Sequence, residues 1–298
     1  MKIIITGASG FVGTNLTELF QAKGHEVLPL SLRKDNWHLP ASASAVIHLA
    51  GIEKDTNSVS NEDEYFKVNA QLTENIFKEF LNSGISDFVF VSSIKAVADS
   101  SKEILTETIE PRPLSPYGKS KLLAEQLISK YKIPAGKRLI ILRPCLIHGP
   151  NDQGNLKSLN KIAMKGIPYP FGDFENKRSY LSIDNFSFLL LKILENANFS
   201  SGIYNVADDT SLSTKKLIEI MYQTLEKKPK ILNLPASPIK MIAKLFTLVG
   251  FSIVEEKLKK LTDSYVVSNL KIKEELDIKD LPFSAEEGLI KTLISFQK

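Results

Sequence analysis

The chain has 298 residues, 43% hydrophobic and 24% charged, with a formal net charge of +4. That is a globular composition, and lysines and acids are interspersed, which excludes the concentrated basic footprint of nucleic-acid binding. Cys145 is the single cysteine, so no disulfide forms within the chain and a reducing, cytoplasmic setting is expected.

Taken in order, Ile3 to Ile5 is a short apolar β-branched run, which predicts a strand buried on both faces. A glycine turn follows, with Gly7, Gly10 and Gly13, and then helical spacing from Asn15, Leu16, Leu19 and Phe20. The turn comes too early for the apolar run to be a signal peptide. Strand, glycine turn, helix is the setting in which glycines cradle a pyrophosphate, with the helix N-terminus offering free N–H groups. A plain strand-to-helix turn has the same look, because the spacing is G-x-x-G-x-x-G. Gly24 ends the helix, and Glu26 to Ser31 predicts a second strand. An acid closing that strand would bind the ribose hydroxyls of NAD. Ser31, followed by Arg33 and Lys34, favours a ribose 2′-phosphate instead. NADP(H) is therefore the favoured cofactor, with NAD(H) possible. The stretch from Ser31 to His48 is short, so one βα unit is expected to be clipped.

Ala45 to Ala50 predicts a buried strand carrying His48, read as a core histidine. Asn61 to Phe80 has helical periodicity, with Asn69 turned toward the ligand edge and Gly84 as its cap. Asp87 to Val91 is the next strand. Ser92 and Ser93 close it, where ligands bind in open α/β sheets. A helix is predicted from about Ser115, held on the sheet by Leu122, Leu123, Leu127 and Ile128. On it Tyr117 and Lys121 stand four apart and share a face. A phenol titrates near 10, so an ammonium group beside it is expected to lower its pKa. A serine opposite can orient a reacting oxygen. Ser93, Tyr117 and Lys121 together suit proton transfer to or from an alcohol while nicotinamide exchanges hydride. A surface tyrosine and a solvated lysine are the alternative. Arg138 to Leu142 predicts the next strand.

Beyond His148-Gly149-Pro150 the texture changes. Helices are expected over Leu156 to Ala163, from Phe186 to Leu194 with Asp184 as cap, and over Lys215 to Leu225, Ile239 to Val249 and Val254 to Leu261. Short strands are expected at Arg178 to Ile183 and Gly202 to Ala207. Lys240 and Lys244 make Ile239 to Val254 amphipathic, not a membrane span. The four histidines are scattered, so no metal site is expected. The fold class is α/β, a Rossmann-like doubly wound parallel sheet with a smaller C-terminal α/β substrate region. Residues 1–150, joined by roughly 181–206, form the dinucleotide domain, and 151–298 carry the substrate.

The pieces TGASGFVG, VIHLAG, Val68-Asn69, FVFVSS, YGKSKLLAE, LRPCLIHGP and RSYLSIDN occur in a fixed order up to about Val206. In this the chain resembles an extended short-chain dehydrogenase/reductase of the NAD-dependent epimerase/dehydratase family. The resemblance implies a catalytic Ser93, Tyr117 and Lys121. It implies cofactor contacts from Gly7, Ser9, Gly10, Phe11, Val12, Ser31, Arg33, Leu49, Ala50, Tyr117, Lys121 and Pro144. Substrate contacts would come from Ser93, Lys95, Asn155 and Arg178, the last two on a nucleotide-sugar diphosphate. Arg178 could equally be a surface cation beside Asp184 or Glu175. The 4,6-dehydratases of the family place Asp-Glu after the catalytic hydroxyl, and GDP-fucose synthase-like enzymes place a reactive cysteine there. Ile94 and Lys95 follow Ser93 here, which argues against both, and Cys145 is read as packing. SSIK, HGPNDQGNL and KRSYLSIDN most resemble bacterial UDP-4-keto-6-deoxy-N-acetylhexosamine 4-reductases of surface polysaccharide synthesis. A 4-ketoreductase is therefore expected, a UDP-sugar 4-epimerase is the alternative, and a non-catalytic dinucleotide sensor the second. Relatives imply a homodimer.

Overall fold

A computed structural model describes residues 1–33, 36–53, 62–235, 258 and 262–297. The first strand, β1 (Lys2–Thr6), alternates faces. Ile3 and Ile5 enter one apolar core and Ile4 the other. It is followed by α1 (Phe11–Ala22), β2 (Glu26–Leu30) and β3 (Ala45–His48). No helix lies between β2 and β3 among the described residues, so this βα unit is clipped as expected.

Helix α2 (Glu62–Tyr65) runs through a π-helical turn at Phe66–Gln71 into α3 (Leu72–Asn82). The C-cap is Ser83, not Gly84. Then come β4 (Asp87–Val91), α4 (Pro116–Ser129) and β5 (Arg138–Pro144). The last sheet strand is β8 (Gly202–Val206), reached after a long excursion. The six strands run parallel in the order β2-β1-β3-β4-β5-β8. The chain reverses direction across the sheet between β1 and β3, so a crevice opens beyond the C-terminal ends of those strands.

The excursion holds β6 (Leu146–His148), α5 (Asn155–Met164), β7 (Tyr180–Ser182) and α6 (Ile183–Glu195). After β8 come α7 (Thr214–Thr224), α8 (Leu270–Glu275) and α9 (Ala285–Ser295). Strands β6 and β7 pair in a separate parallel sheet. The expected strand at Arg178 to Ile183 is shorter, because Ser182 accepts the Asn185 amide and caps α6 two residues ahead of Asp184. Asp184 therefore stands inside the first turn and pairs with Lys291 at 2.5 Å. Helices α5, α7 and α9 share a third apolar core built on Leu156, Leu217, Met221 and Leu289. The helices expected at Ile239 to Val249 and Val254 to Leu261 lie outside the described residues, apart from Leu258.

A buried polar joint ties α9 to the rest. His148 Nδ1 is 2.9 Å from Thr292 Oγ1, and that hydroxyl donates onward to the Gly288 carbonyl. The Asp208 carboxylate accepts from the Ser182 amide and the Asn185 side chain. Burial pushes His148 and His48 each down to about 3 from 6.5, and raises Asp208 to about 6 from 3.8. Near pH 5 the unfolded chain binds two histidine protons that the folded chain refuses, while folded Asp208 holds one that the unfolded chain releases. The balance is one proton in favour of the unfolded state. These groups should lower stability by about 1.4 kcal/mol for each pH unit of acidification. Urea unfolding at pH 6.5, 5.5 and 4.5 checks the slope, which should flatten in His48→Gln.

Candidate active site

The opening turn is built for close backbone approach. Gly7 has φ +70°, where a Cβ would also crowd the Ala50 backbone at 2.9 Å, and a Cβ on Gly13 would lie 2.4 Å from the Gly7 carbonyl oxygen, so helix and turn touch there only because Gly13 lacks a side chain. Gly10 and Ser9 are exposed. Gly10 is the N-cap of α1 but no side chain caps that helix, and its first turn carries no acid. The first amides, on Phe11 and Val12, thus meet the open face with the positive end of the helix dipole. These residues fit a bound pyrophosphate. Register pairs Thr6 with Leu30 across β1 and β2, which sets Ser31 beside the turn. Ser31 and Arg33 are exposed, and Arg33 has no ion-pair partner among the described residues.

The other wall is the end of β3. Leu49 and Ala50 donate their amides to Thr6 Oγ1, whose proton is then left for His48 Nδ1 at 2.7 Å. His48 Nε2 meets Thr73 Oγ1 at 2.9 Å, and Thr73 donates to the Asn69 carbonyl. His48 is thus a fully paired core link, as expected. Asn69 sits in the π-helical turn and is buried; its side chain accepts the Ile52 amide and donates to the Ile52 carbonyl and Ser120 Oγ. Local π geometry turns this side chain toward the strand ends.

Ser93 follows β4 and Tyr117 opens α4. Ser115 caps α4 by accepting the Gly118 amide, with Pro116 in its first turn. A Cβ on Gly118 would lie 2.4 Å from the Lys95 carbonyl, so glycine here lets α4 press against the Ser93 segment. The Ser93 hydroxyl lies near enough to the Tyr117 phenol to favour its ionised form. Lys121 is buried, with Nζ 3.1 Å from the Val91 carbonyl and 6.0 Å from the Tyr117 ring centre. The structure therefore brings Ser93, Tyr117 and Lys121 together.

The expected electrostatics need correction. The Tyr117 ring is half-exposed, yet desolvation of its surroundings is the largest influence and pushes the phenol up. The Glu53 charge adds to the rise, and the Ser93 hydroxyl opposes it. Lys121 is turned toward a carbonyl and does not lower the phenol; burial instead drops the lysine itself to about 8 against the charges of Glu125 and Glu53. Lys95, expected as a substrate contact, is a second cation at the phenol: its Nζ lies 5.5 Å from the Tyr117 ring centre and 3.6 Å from the Glu53 carboxylate.

A buried ionic network that no residue spacing signals lies under the site. Of the expected stripe on α4, Ile128 is in the second core and Leu123 and Leu127 pack against it, whereas Leu122 does not; Lys121, Ala124 and Glu125 are buried as well. Glu125 accepts Ser92 Oγ at 2.5 Å and takes Arg143 in a two-pronged pair, with Nη2 at 2.5 Å. Pro144, next to Arg143, is buried and registers with Val206. Cys145 is buried in the first core and burial raises its thiol well above the usual range, so it packs and does not react.

On the substrate side Arg178 is half-buried. It donates to the Asp263 carbonyl and lies 5.8 Å from the Tyr265 ring centre. Tyr265 in turn donates to the Ala98 carbonyl, which links Arg178 to the segment carrying Ser93. Neither Asp184 nor Glu175 pairs with Arg178 among the described residues. Asn155 is exposed in the first turn of α5.

The profile of the NAD dependent epimerase/dehydratase family matches residues 3–207. A UDP-glucose 4-epimerase of Vibrio cholerae is 29% identical over 99% of this chain and 95% of its own. An N-acetyl-α-D-glucosaminyl-diphospho-ditrans,octacis-undecaprenol 4-epimerase of Escherichia coli O157:H7 is 29% identical over 91% of this chain and 84% of its own. The fold superposes on UDP-glucuronic acid 4-epimerase of Bacillus cereus in complex with NAD with a TM-score of 0.77, covering 100% of this chain and 99% of that one at 19% identity. The match takes in the glycine turn, Ser93, Tyr117 and Lys121 alike, and the chain belongs to the NAD dependent epimerase/dehydratase family, the NAD(P)-dependent enzymes of extended short-chain dehydrogenase/reductase type.

Proposed function

We propose that the protein is a nucleotide-sugar 4-ketoreductase that uses NADPH. The observation that carries this reading is the open end of β2, where Ser31 and Arg33, a cation with no ion-pair partner among the described residues, stand beside the glycine turn and no acid closes the strand. A guanidinium there suits a 2′-phosphate. The bound cofactor supplies the hydride. Tyr117 then gives its proton to the oxygen forming at the sugar's C4, and Ser93 holds that oxygen by hydrogen bond. A phenol kept protonated by burial is the form this direction needs. Lys121 holds the ribose side of the site. Gly7, Ser9, Gly10, Phe11 and Val12 meet the pyrophosphate, with Leu49, Ala50 and Pro144 as walls, while Lys95, Asn155 and Arg178 face the substrate. Residues 1–150 with 181–206 form the cofactor half, and the remainder of 151–298 the sugar half. The substrate class is a UDP-linked 4-keto-6-deoxy-hexosamine, a precursor for surface polysaccharide.

The test is absorbance loss at the nicotinamide band when purified protein meets UDP-4-ketosugars with either reduced cofactor. Stoichiometric consumption of NADPH supports the reading; no consumption overturns it. Arg33→Ala should raise the KM for NADPH about tenfold, the loss of one charge-assisted contact, and leave that for NADH unchanged.

The second reading is a 4-epimerase, favoured by the two 4-epimerase relatives. It would use the same three residues in both directions, and would interconvert UDP-sugars with no cofactor added. A non-catalytic dinucleotide sensor is the remaining alternative, and would keep its function after Tyr117→Phe. We also infer a homodimer through the groove between the α2–α3 arm and α4, which Phe66, Leu123 and Leu127 line.

A further inference from the structure

One surface of the sugar half has no place in the chemistry above. Ile162 and Met164 at the end of α5, Ile167 in the turn after it, and Leu232 and Leu234 are each between 42% and 49% exposed. Nearly half of the exposed large apolar residues among those described fall in these two segments, so the exposure is concentrated, not scattered. The segments are joined in space. The Tyr169 amide donates to the Lys230 carbonyl, the Leu232 amide to the Tyr169 carbonyl, and Lys227 Nζ to the Met164 carbonyl.

Charge in these two segments is strongly one-sided. Residues 155–170 and 226–235 contain Lys157, Lys161, Lys165, Lys227, Lys228 and Lys230, against Glu226 alone. None of these lysines pairs with a carboxylate among the described residues. In sequence the chain then runs on from Pro235 into a stretch that carries Ile239, Met241, Ile242, Leu245, Phe246, Leu248, Val249 and Phe251. Its only charges before Glu255 are Lys240 and Lys244.

We propose that this face rests on the anionic surface of a lipid bilayer. Aliphatic side chains ringed by long-stemmed lysines match that boundary, since the chains enter the headgroup layer while the ammonium groups reach phosphate. A nucleic-acid surface would call for exposed aromatic rings among the cations, and 155–170 and 226–235 expose none: Tyr169 is buried. A protein partner of opposite charge would be met by lysines alone and leaves the five apolar side chains unexplained. No described helix is long and apolar enough to cross a membrane, so the contact is peripheral. It holds whether the enzyme reduces or epimerises its sugar. It would also set one end of α5 at the headgroups, with Asn155 at the other end, roughly 15 Å away.

The test is sedimentation of the full-length protein with vesicles of phosphatidylglycerol and phosphatidylethanolamine, and separately with phosphatidylcholine vesicles, at low and high salt. Binding to the anionic vesicles that weakens with salt is expected. The Lys161→Glu, Lys165→Glu, Lys228→Glu triple variant should bind on the order of a hundredfold more weakly. Ile162→Ser with Met164→Ser should also weaken binding, and more so at high salt. All of these residues are exposed, so the urea midpoint and turnover of a water-soluble nucleotide sugar should stay at parent values. Equal recovery on both vesicle types, no recovery on either, or full binding by both variants overturns the proposal. So does a change in oligomeric state in the serine variant, which would make the face a contact between proteins. Failure of the 4-ketoreductase assay leaves the vesicle result unaffected, so the two claims fall separately.

Discussion

Tyr117→Phe should lower kcat by about 10²- to 10⁴-fold, the usual worth of one positioned proton donor, with KM and unfolding midpoint close to the parent's. The reason is geometric. The ring keeps its place at the start of α4, and only the hydroxyl beside Ser93 is lost. Ser93→Ala should cost less, because it orients the reacting oxygen but moves no proton. Steady-state rates with NADPH and a 4-ketosugar measure both. A Phe variant with undiminished kcat would remove Tyr117 from the chemistry, and with it the reading of the whole site.

The largest structural effect is expected at Glu125. Its carboxylate is buried with Arg143, both side chains under 5% exposed and 2.5 Å apart at the closest atoms. Arg143→Met leaves that carboxylate buried beside Ser92 and Lys121 without its main partner. The expected loss is about 3–5 kcal/mol of folding stability, read as a lower urea midpoint with an unchanged slope. Replacing both partners together, Glu125→Leu with Arg143→Met, should recover much of that loss, since no orphaned charge remains. Activity should not recover in step, because Glu125 also supports the charge on Lys121.

The parts of the fold governed by local pattern were readable from residue order. β4 lies at Asp87–Val91 as expected, and Ser115 begins α4 because a capping hydroxyl and a proline fix that end. Boundaries failed where a side chain bonded out of period, as when Ser182 capped α6 ahead of Asp184. The helices α8 and α9 were not foreseen, since α9 is held by contacts remote in sequence such as Thr292 with His148. The same holds at the site. Ser93, Tyr117 and Lys121 could be picked out by type and spacing. Glu53 with Lys95, and Glu125 with Arg143, could not, because their pairing depends on how three strand ends converge. The direction of the Tyr117 shift was misjudged for a related reason: spacing brought an ammonium group near, but burial, which spacing does not reveal, had the greater weight.

The place of β8 bears on how the polypeptide matures. Between Arg138 and Arg143 strand β5 is wholly apolar, and its outer hydrogen-bonding edge is covered by residues 201–206. During synthesis that edge stays bare while about sixty further residues emerge, an invitation to intermolecular strand addition. Polypeptides halted near residue 150 should therefore clump even though they hold five of the six parallel strands, whereas those halted past residue 206 should stay dispersed.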